Sequence, residues 1–406
     1  MEKTWRWFGK KDKITLSMLR QIGVEGIVTA LHDIPNGEVW PLEAINDLKN
    51  YIKDAGLRWS VVESLPVSEA IKYGGSESDQ LIANYIESLA NLGEAGVNTV
   101  CYNFMPVIDW IRTDLQYPWA DGTSSLYFDK IRFAYFDCFI LNREGAVKDY
   151  SAEEMEKVYA LDKTITKAEK EQLIDTIIVK TQGFINGNIK EGDRDPVAIF
   201  KNLLSLYKDI DRNALRENLK YFLSQLMPVC EEYNINMCIH PDDPPFQMLG
   251  LPRIVTNMED IEWILDAVDN PYNGLTFCAG SLSAGIHNNV PELARRFASR
   301  TRFIHLRSTD VFQNGDFIEA PHLEGRGHLI ELVRIFEKEN PALPMRVDHG
   351  RLMLGDRDKG YNPGYSFYGR MYAFAQMDGV IATVQDEIEK SIDNDNKYML
   401  EYERTF

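Results

Sequence analysis

Four stretches in the second half of the chain decide its reading: MCIHP (Met237–Pro241), LTFCAG (Leu275–Gly280), FIHLR (Phe303–Arg307) and RVDHG (Arg346–Gly350). Each is a short run of β-branched, aromatic or sulfur-bearing residues that ends in His, Cys, His and Asp in turn. The runs are separated by about the length of one strand, one helix and two loops. In a parallel β/α barrel the carboxyl ends of neighbouring strands open on a common mouth, so donors at equivalent heights on four strands point at one centre.

Working outward, eight candidate strands are found: Thr4–Phe8, Gly26–Leu31, Arg58–Glu63, Thr99–Phe104, Asn236–His240, Leu275–Cys278, Arg302–Leu306 and Met345–Asp348. They are rich in Val, Ile, Phe, Tyr and Trp. Amphipathic stretches lie between most of them. Leu42, Ile45, Leu48 and Ile52 recur at helical spacing and the pattern stops at Gly56. Pro291 suits the first turn of another helix. Strands alternating with helices argue for a parallel sheet with right-handed crossovers, and eight strands close a barrel. The predicted fold is therefore α/β, a (β/α)8 TIM barrel forming a single domain over 1–406.

One interval is too long for a single βα unit. Between Phe104 and Asn236 lie two possible strands, Ser125–Phe128 and Ile131–Leu141. Helices opened by Ser151 with Glu154 and by Thr166 with Glu169 follow. We read 105–190 as an α/β insertion on the loop after the fourth strand, the face where barrel active sites lie. It is expected to close over the mouth or to border it at a subunit interface.

Composition bounds the function. The 406 residues carry a formal net charge of −18 and are 44% hydrophobic, enough apolar material for a packed core. The acidic balance argues against nucleic acid and anionic lipid as partners. No apolar run has the length of a membrane span, and MEKTWRWFGKKDKITL lacks the apolar centre of a secretory signal. Five cysteines form neither a disulfide framework nor a CxxC pattern. A cytoplasmic protein with reduced thiols is expected, so a cysteine among histidines becomes a candidate ligand.

The candidate metal ligands are His240, Cys278, His305 and Asp348. Two imidazoles, a thiolate and a carboxylate suit a divalent first-row ion. Each alone has an ordinary structural role, and the argument lies in their conjunction at four strand ends. His349 follows Asp348 and reaches the mouth if the strand has ended, which Gly350 favours; the other reading is structural. Tyrosines in the loop Asn362–Arg370 hang over the same mouth. Arg307 and Arg346 each lie two residues from a proposed ligand and so share its strand face; they either bind a substrate carboxylate or pair with Asp348. His32 lies just past a strand end, where it can reach the mouth. His287, His322 and His328 read as loop hydrogen-bonders, and Cys101, Cys138, Cys230 and Cys238 as packing residues.

WRWFG, TALHDIP, IHPDDPP, FCAGSLSAG, FIHLRS, RVDHGR and NPGYSFYGR together resemble the D-mannonate dehydratase family over nearly the whole chain. The resemblance implies a barrel similar to the xylose isomerase-like ones. It implies conversion of D-mannonate to 2-dehydro-3-deoxy-D-gluconate and water in hexuronate (glucuronate) catabolism, with one Mn²⁺ or Fe²⁺ per chain. Motif by motif, the family's ligands fall on His240, Cys278, His305 and Asp348. Its proton-transfer pair falls on His349 and Tyr365, with Tyr361 and Tyr368 close by. Softness alone would favour zinc at a thiolate site; the resemblance favours manganese or iron. The expected partner is a small aldonate, with the chain as a homodimer. A related metal-dependent sugar isomerase or epimerase would use the same barrel and is separated by its product.

Overall fold

The computed structural model describes residues 1–182 and 194–403, with side chains to Ile392. Eight parallel strands form a closed barrel. They are β1 (Glu2–Arg6), β2 (Gly26–Thr29), β3 (Arg58–Glu63), β4 (Thr99–Tyr102), β5 (Asn236–Ile239), β6 (Asn273–Cys278), β7 (Thr301–Leu306) and β8 (Pro344–Val347). Closure is made by β1 pairing with β8, Thr4 opposite Arg346, and with β2, Trp5 opposite Ile27. The strands are those read from the sequence, with ends displaced by at most two residues and Arg58–Glu63 unchanged.

Eight helices clothe the barrel: Leu16–Gln21, Leu42–Asp54, Ser78–Glu94, Arg212–Tyr233, Met258–Ala267, Val290–Phe297, Leu329–Glu339 and Phe367–Glu403. Helix Leu42–Asp54 turns Ile45, Leu48 and Ile52 inward as its spacing requires. Pro291 sits in the first turn of Val290–Phe297. A large apolar cluster packs these helices on the strands. Inside the barrel Val28, Val61, Cys101 and Phe303 form a small cluster of their own, the floor beneath the mouth.

After β4 the chain leaves the barrel and rejoins its wall at helix Arg212–Tyr233. Strand Asp114–Pro118 pairs antiparallel with Ser124–Phe128. The latter pairs with Phe317–Glu319, which pairs with Thr309–Val311 from the loop after β7. The result is a four-stranded sheet built from two excursions. Ile131–Leu141, read as a strand, is instead helix Lys130–Tyr135 running into a wider π turn over Phe136–Ile140. The Asp129 side chain accepts from the Arg132 amide and starts the helix. A short apolar run does not distinguish buried helix from buried strand. The capping boxes at Ser151 and Thr166 are present as read, opening Ala152–Asp162 and Lys167–Ile174. This segment has its own apolar cluster, which also takes in Phe200 and Tyr207, so the excursion continues past the expected 190. Residues 183–190 of that expected insertion lie outside the described residues.

Candidate metal centre and active site

Strand register sets the site. Cys278 at the end of β6 stands opposite His305 on β7, and His305 opposite Arg346 on β8. His240 follows the last residue of β5, and Asp348 follows the last residue of β8. Ligand-capable atoms of His240, Cys278 and His305 lie within 4.8 Å of one another. His240 Nε2 faces His305 Nδ1 at 3.3 Å. Asp348 Oδ2 lies 3.8 Å from His305 Nδ1 and 4.0 Å from Cys278 Sγ. Cys278, His305 and Asp348 are buried, the first two at 0% exposure, and His240 is partly buried.

The donor set fits a divalent cation. Burial opposes ionisation of Cys278, but Arg307 and His240 hold its thiol well below the usual range, so it stands as a thiolate. Burial likewise opposes protonation of His240, yet the Cys278 thiolate raises its pKa to about 9. His240 Nδ1 donates to the Pro241 carbonyl at 2.7 Å, which commits Nε2 to the centre. His305 Nε2, on the far side of its ring, makes no hydrogen bond and lies 3.6 Å from Glu63 Oε2. Histidines that carry metals are oriented in this way, the outer nitrogen directed at a carbonyl or carboxylate.

Arg346 and Arg307 are consumed by the protein itself. Arg346 donates to Glu63 through Nε at 2.9 Å and Nη2 at 2.8 Å, and to Asp348 Oδ1 through Nη1. Arg307 donates to Glu319 Oε1 at 3.0 Å and to Asp243 Oδ2 at 2.7 Å, and its Nε lies 3.3 Å from Asp348 Oδ2. Between the two sequence readings of these arginines, the geometry is that of ion pairs holding Asp348. Burial opposes the charge on Asp348, but Arg346, His349 and Arg307 hold its carboxyl well below the usual range. Gly280 makes room for Arg307, since a Cβ there would overlap the guanidinium.

His349 is buried beside the centre. Its Nδ1 lies 2.7 Å from Arg307 Nη1 and 3.1 Å from Glu319 Oε1. It accepts from the arginine in one tautomer and donates to the carboxylate in the other. Its Nε2 faces Asp348 Oδ1 at 3.9 Å. The Tyr365 hydroxyl donates to the same Oδ1 at 3.1 Å, and its ring stands edge-on to His349 with centroids 5.1 Å apart. Burial and the Asp348 charge raise the Tyr365 pKa, so the phenol keeps its proton. Gly364, at φ +79°, brings the loop over His349; a Cβ would lie 2.9 Å from its ring. Tyr361 is only partly buried and Tyr368 is exposed.

The excursion after β4 lies against the mouth. Arg112 bridges Asp243 at 2.8 Å and Glu319 at 2.6 Å. The Trp110 ring stacks obliquely 5.2 Å from His349. Ser124 exchanges backbone hydrogen bonds with Leu352, just beyond β8. Glu63, Asp243, Glu319 and Arg112 were not singled out by the sequence reading. They come from loops and strands far apart in the chain, and a lone carboxylate carries no periodic signal. His322, read as a loop residue, is buried, with an unbonded Nε2. His32 is exposed beside Phe8, outside the ligand cluster. Among the described residues no helix is long and apolar enough to cross a membrane.

Comparisons with known proteins identify the family. The family model for D-mannonate dehydratase (UxuA) matches residues 1–391. A mannonate dehydratase of Chromohalobacter salexigens is 43% identical over 394 residues, 95% of this chain and 99% of the relative. One from Marinomonas sp. (strain MWYL1) is 45% identical over 390 residues, 94% and 98%. The crystal structure of mannonate dehydratase from Streptococcus suis serotype 2 superposes with TM-score 0.76 at 33% identity, covering 96% of either chain. A D-tagatose 3-epimerase-like protein, 9% identical with TM-score 0.50, shares the fold alone. A model matched from the first residue to 391, and relatives above 40% identity at nearly full length, place the chain in the D-mannonate dehydratase family.

Proposed function

We propose that the chain removes water from D-mannonate to give 2-dehydro-3-deoxy-D-gluconate, with one Mn²⁺ or Fe²⁺ held by His240, Cys278, His305 and Asp348. The observation that carries the metal is the pair of opposed ring nitrogens at 3.3 Å beside a thiolate. Each imidazole has its other nitrogen directed outward, at a carbonyl or a carboxylate. When bound, the ion supplies a Lewis acid for the oxygens on which charge collects.

The protein's own groups then divide the proton work. Loss of the proton on the carbon beside the carboxylate needs a base, and loss of the hydroxyl one carbon further needs an acid. In the tautomer whose Nδ1–H is donated to Glu319, His349 presents the Nε2 lone pair toward the mouth and takes the carbon-bound proton. Tyr365, held protonated, gives its proton to the departing hydroxyl, so water leaves. The enol that remains tautomerises to the 2-keto-3-deoxy acid. Arg346 and Arg307 keep Asp348 ionised and fixed. The segment after β4, with Trp110 against His349, shields the mouth from water.

The test is incubation of metal-loaded protein with D-mannonate and, separately, its epimer D-gluconate, scored for the 2-keto-3-deoxy acid. D-Mannonate should yield it, chelation should abolish the yield, and Mn²⁺ or Fe²⁺ should restore it. Epimerised sugar with no keto-deoxy acid would replace the dehydratase by an epimerase. Full activity of a Cys278→Ser, His305→Ala double variant after exhaustive chelation would remove the metal assignment.

A further inference from the structure

Arg6 closes β1. Because Thr4 stands opposite Arg346, Arg6, two residues on, stands level with Asp348 on the same face of the barrel. It is therefore at the height of the metal ligands, on the strand beside β8.

Its environment differs from that of the other guanidiniums at this mouth. Arg112, Arg307 and Arg346 each donate to two carboxylates. Among the described residues the Arg6 side chain donates no hydrogen bond, and its Nη1 is buried without a hydrogen-bond partner. Its nearest anion is Glu63 Oε2 at 3.7 Å, and both Glu63 oxygens are already taken by Arg346. The guanidinium lies 5.2 Å from the centroid of the Phe8 ring. Phe8 in turn packs edge-on against Tyr365 with centroids 5.0 Å apart. Arg6 is thus an unsatisfied, nearly buried cation beside the group proposed to give the leaving proton.

Charge balance points the same way. The five anionic side chains described above face four guanidiniums. A bound dication turns that excess of one negative charge into an excess of one positive charge, which a single carboxylate neutralises. A buried guanidinium with open donors matches the two oxygens of such a group. Resting on the dehydratase reading, we propose that Arg6 is the residue that recognises the carboxylate of the aldonate, since Arg307 and Arg346 are each already paired to two carboxylates of the protein. The charge that builds on those oxygens as the neighbouring proton leaves would strengthen the pairing, so Arg6 serves the reaction as well as binding.

The experiment separates recognition of the carboxylate from general support of the site. Calorimetry on the metal-loaded His349→Asn protein, in which turnover is suppressed, measures binding of D-mannonate and of neutral D-mannitol. Adding Arg6→Gln should weaken D-mannonate by roughly 10–100-fold, the effect of losing a hydrogen-bonded charge pair. Arg6→Lys should weaken it less. D-Mannitol should change less than about twofold, and metal content should stay at one ion per chain. D-Mannonate affinity retained in Arg6→Gln, an equal loss for both ligands, or loss of the metal would overturn the proposal, the last making Arg6 a support for Glu63. If D-mannitol binds too weakly to measure, the D-mannonate and metal arms decide. Failure of the wild-type protein to turn over D-mannonate would remove the dehydratase reading while leaving this comparison decisive.

Discussion

Asp348 and His349 are neighbours in the chain that take different partners. Asp348 is gripped by two arginines and one tyrosine, whereas His349 turns Nδ1 to Arg307 and Glu319 and Nε2 toward Asp348. If His349 takes the substrate proton and Tyr365 gives one, His349→Asn and Tyr365→Phe should each slow turnover on the order of 10²–10⁴-fold with metal content intact. Turnover and metal stoichiometry check this. Near-normal turnover in Tyr365→Phe would move suspicion to Tyr361, and loss of metal from His349→Asn would make that residue part of the metal's support. The four donors were legible because each ends a strand and the strands recur at one βα unit. Spacing places Arg307 and Arg346 on the right face but does not say whether their donors are free. Glu63 and Glu319 answer that, and nothing local marks either as buried. Arg6 was passed over for the same reason: it looks like any charged residue at a strand end until its neighbours are known.

Elements were legible in proportion to their regularity. The amphipathic helix Leu42–Asp54 and the two capping boxes carry their own signals. Helix Lys130–Tyr135 does not, because its run of apolar and aromatic residues is buried on several sides, and only Asp129 betrays its start. The strands Thr309–Val311 and Phe317–Glu319 have three residues each, too short for a period to show. The Ser151 box is local and exposed, so its contribution can be isolated. Ser151→Ala should cost about 1 kcal/mol in urea unfolding and leave kcat unchanged. A fall in kcat at unchanged metal content would instead tie helix Ala152–Asp162 to the mouth.

For the whole molecule, a metal held at the proposed site would couple stability to acidity. A ligand that binds only the folded chain stabilises it by about 2.7 kcal/mol at a hundred times its Kd, so chelation should lower the thermal midpoint and added Mn²⁺ should restore it. An ion bound there would have to displace the proton that the Cys278 thiolate keeps on His240. Since that pKa is raised to about 9, metal affinity should fall about tenfold for each pH unit below it, at one proton released per ion. Titration with Mn²⁺ between pH 6 and pH 9 (roughly the range spanning the free and shifted imidazole values) measures the slope. A flat profile would show that His240 carries no proton to displace.

The sheet over the mouth has a consequence for the order of assembly. Its central pairing joins Phe128 to Phe317, residues separated in the chain by β5, β6 and β7. Closing so long a loop is entropically costly unless the intervening strands are already in place. Glu319 arrives on that pairing, and with it the partner of His349 and Arg307. The pairing is therefore expected only after the strands between its two excursions are in place, and a chain in which it has not formed lacks the carboxylate partner of His349 and Arg307.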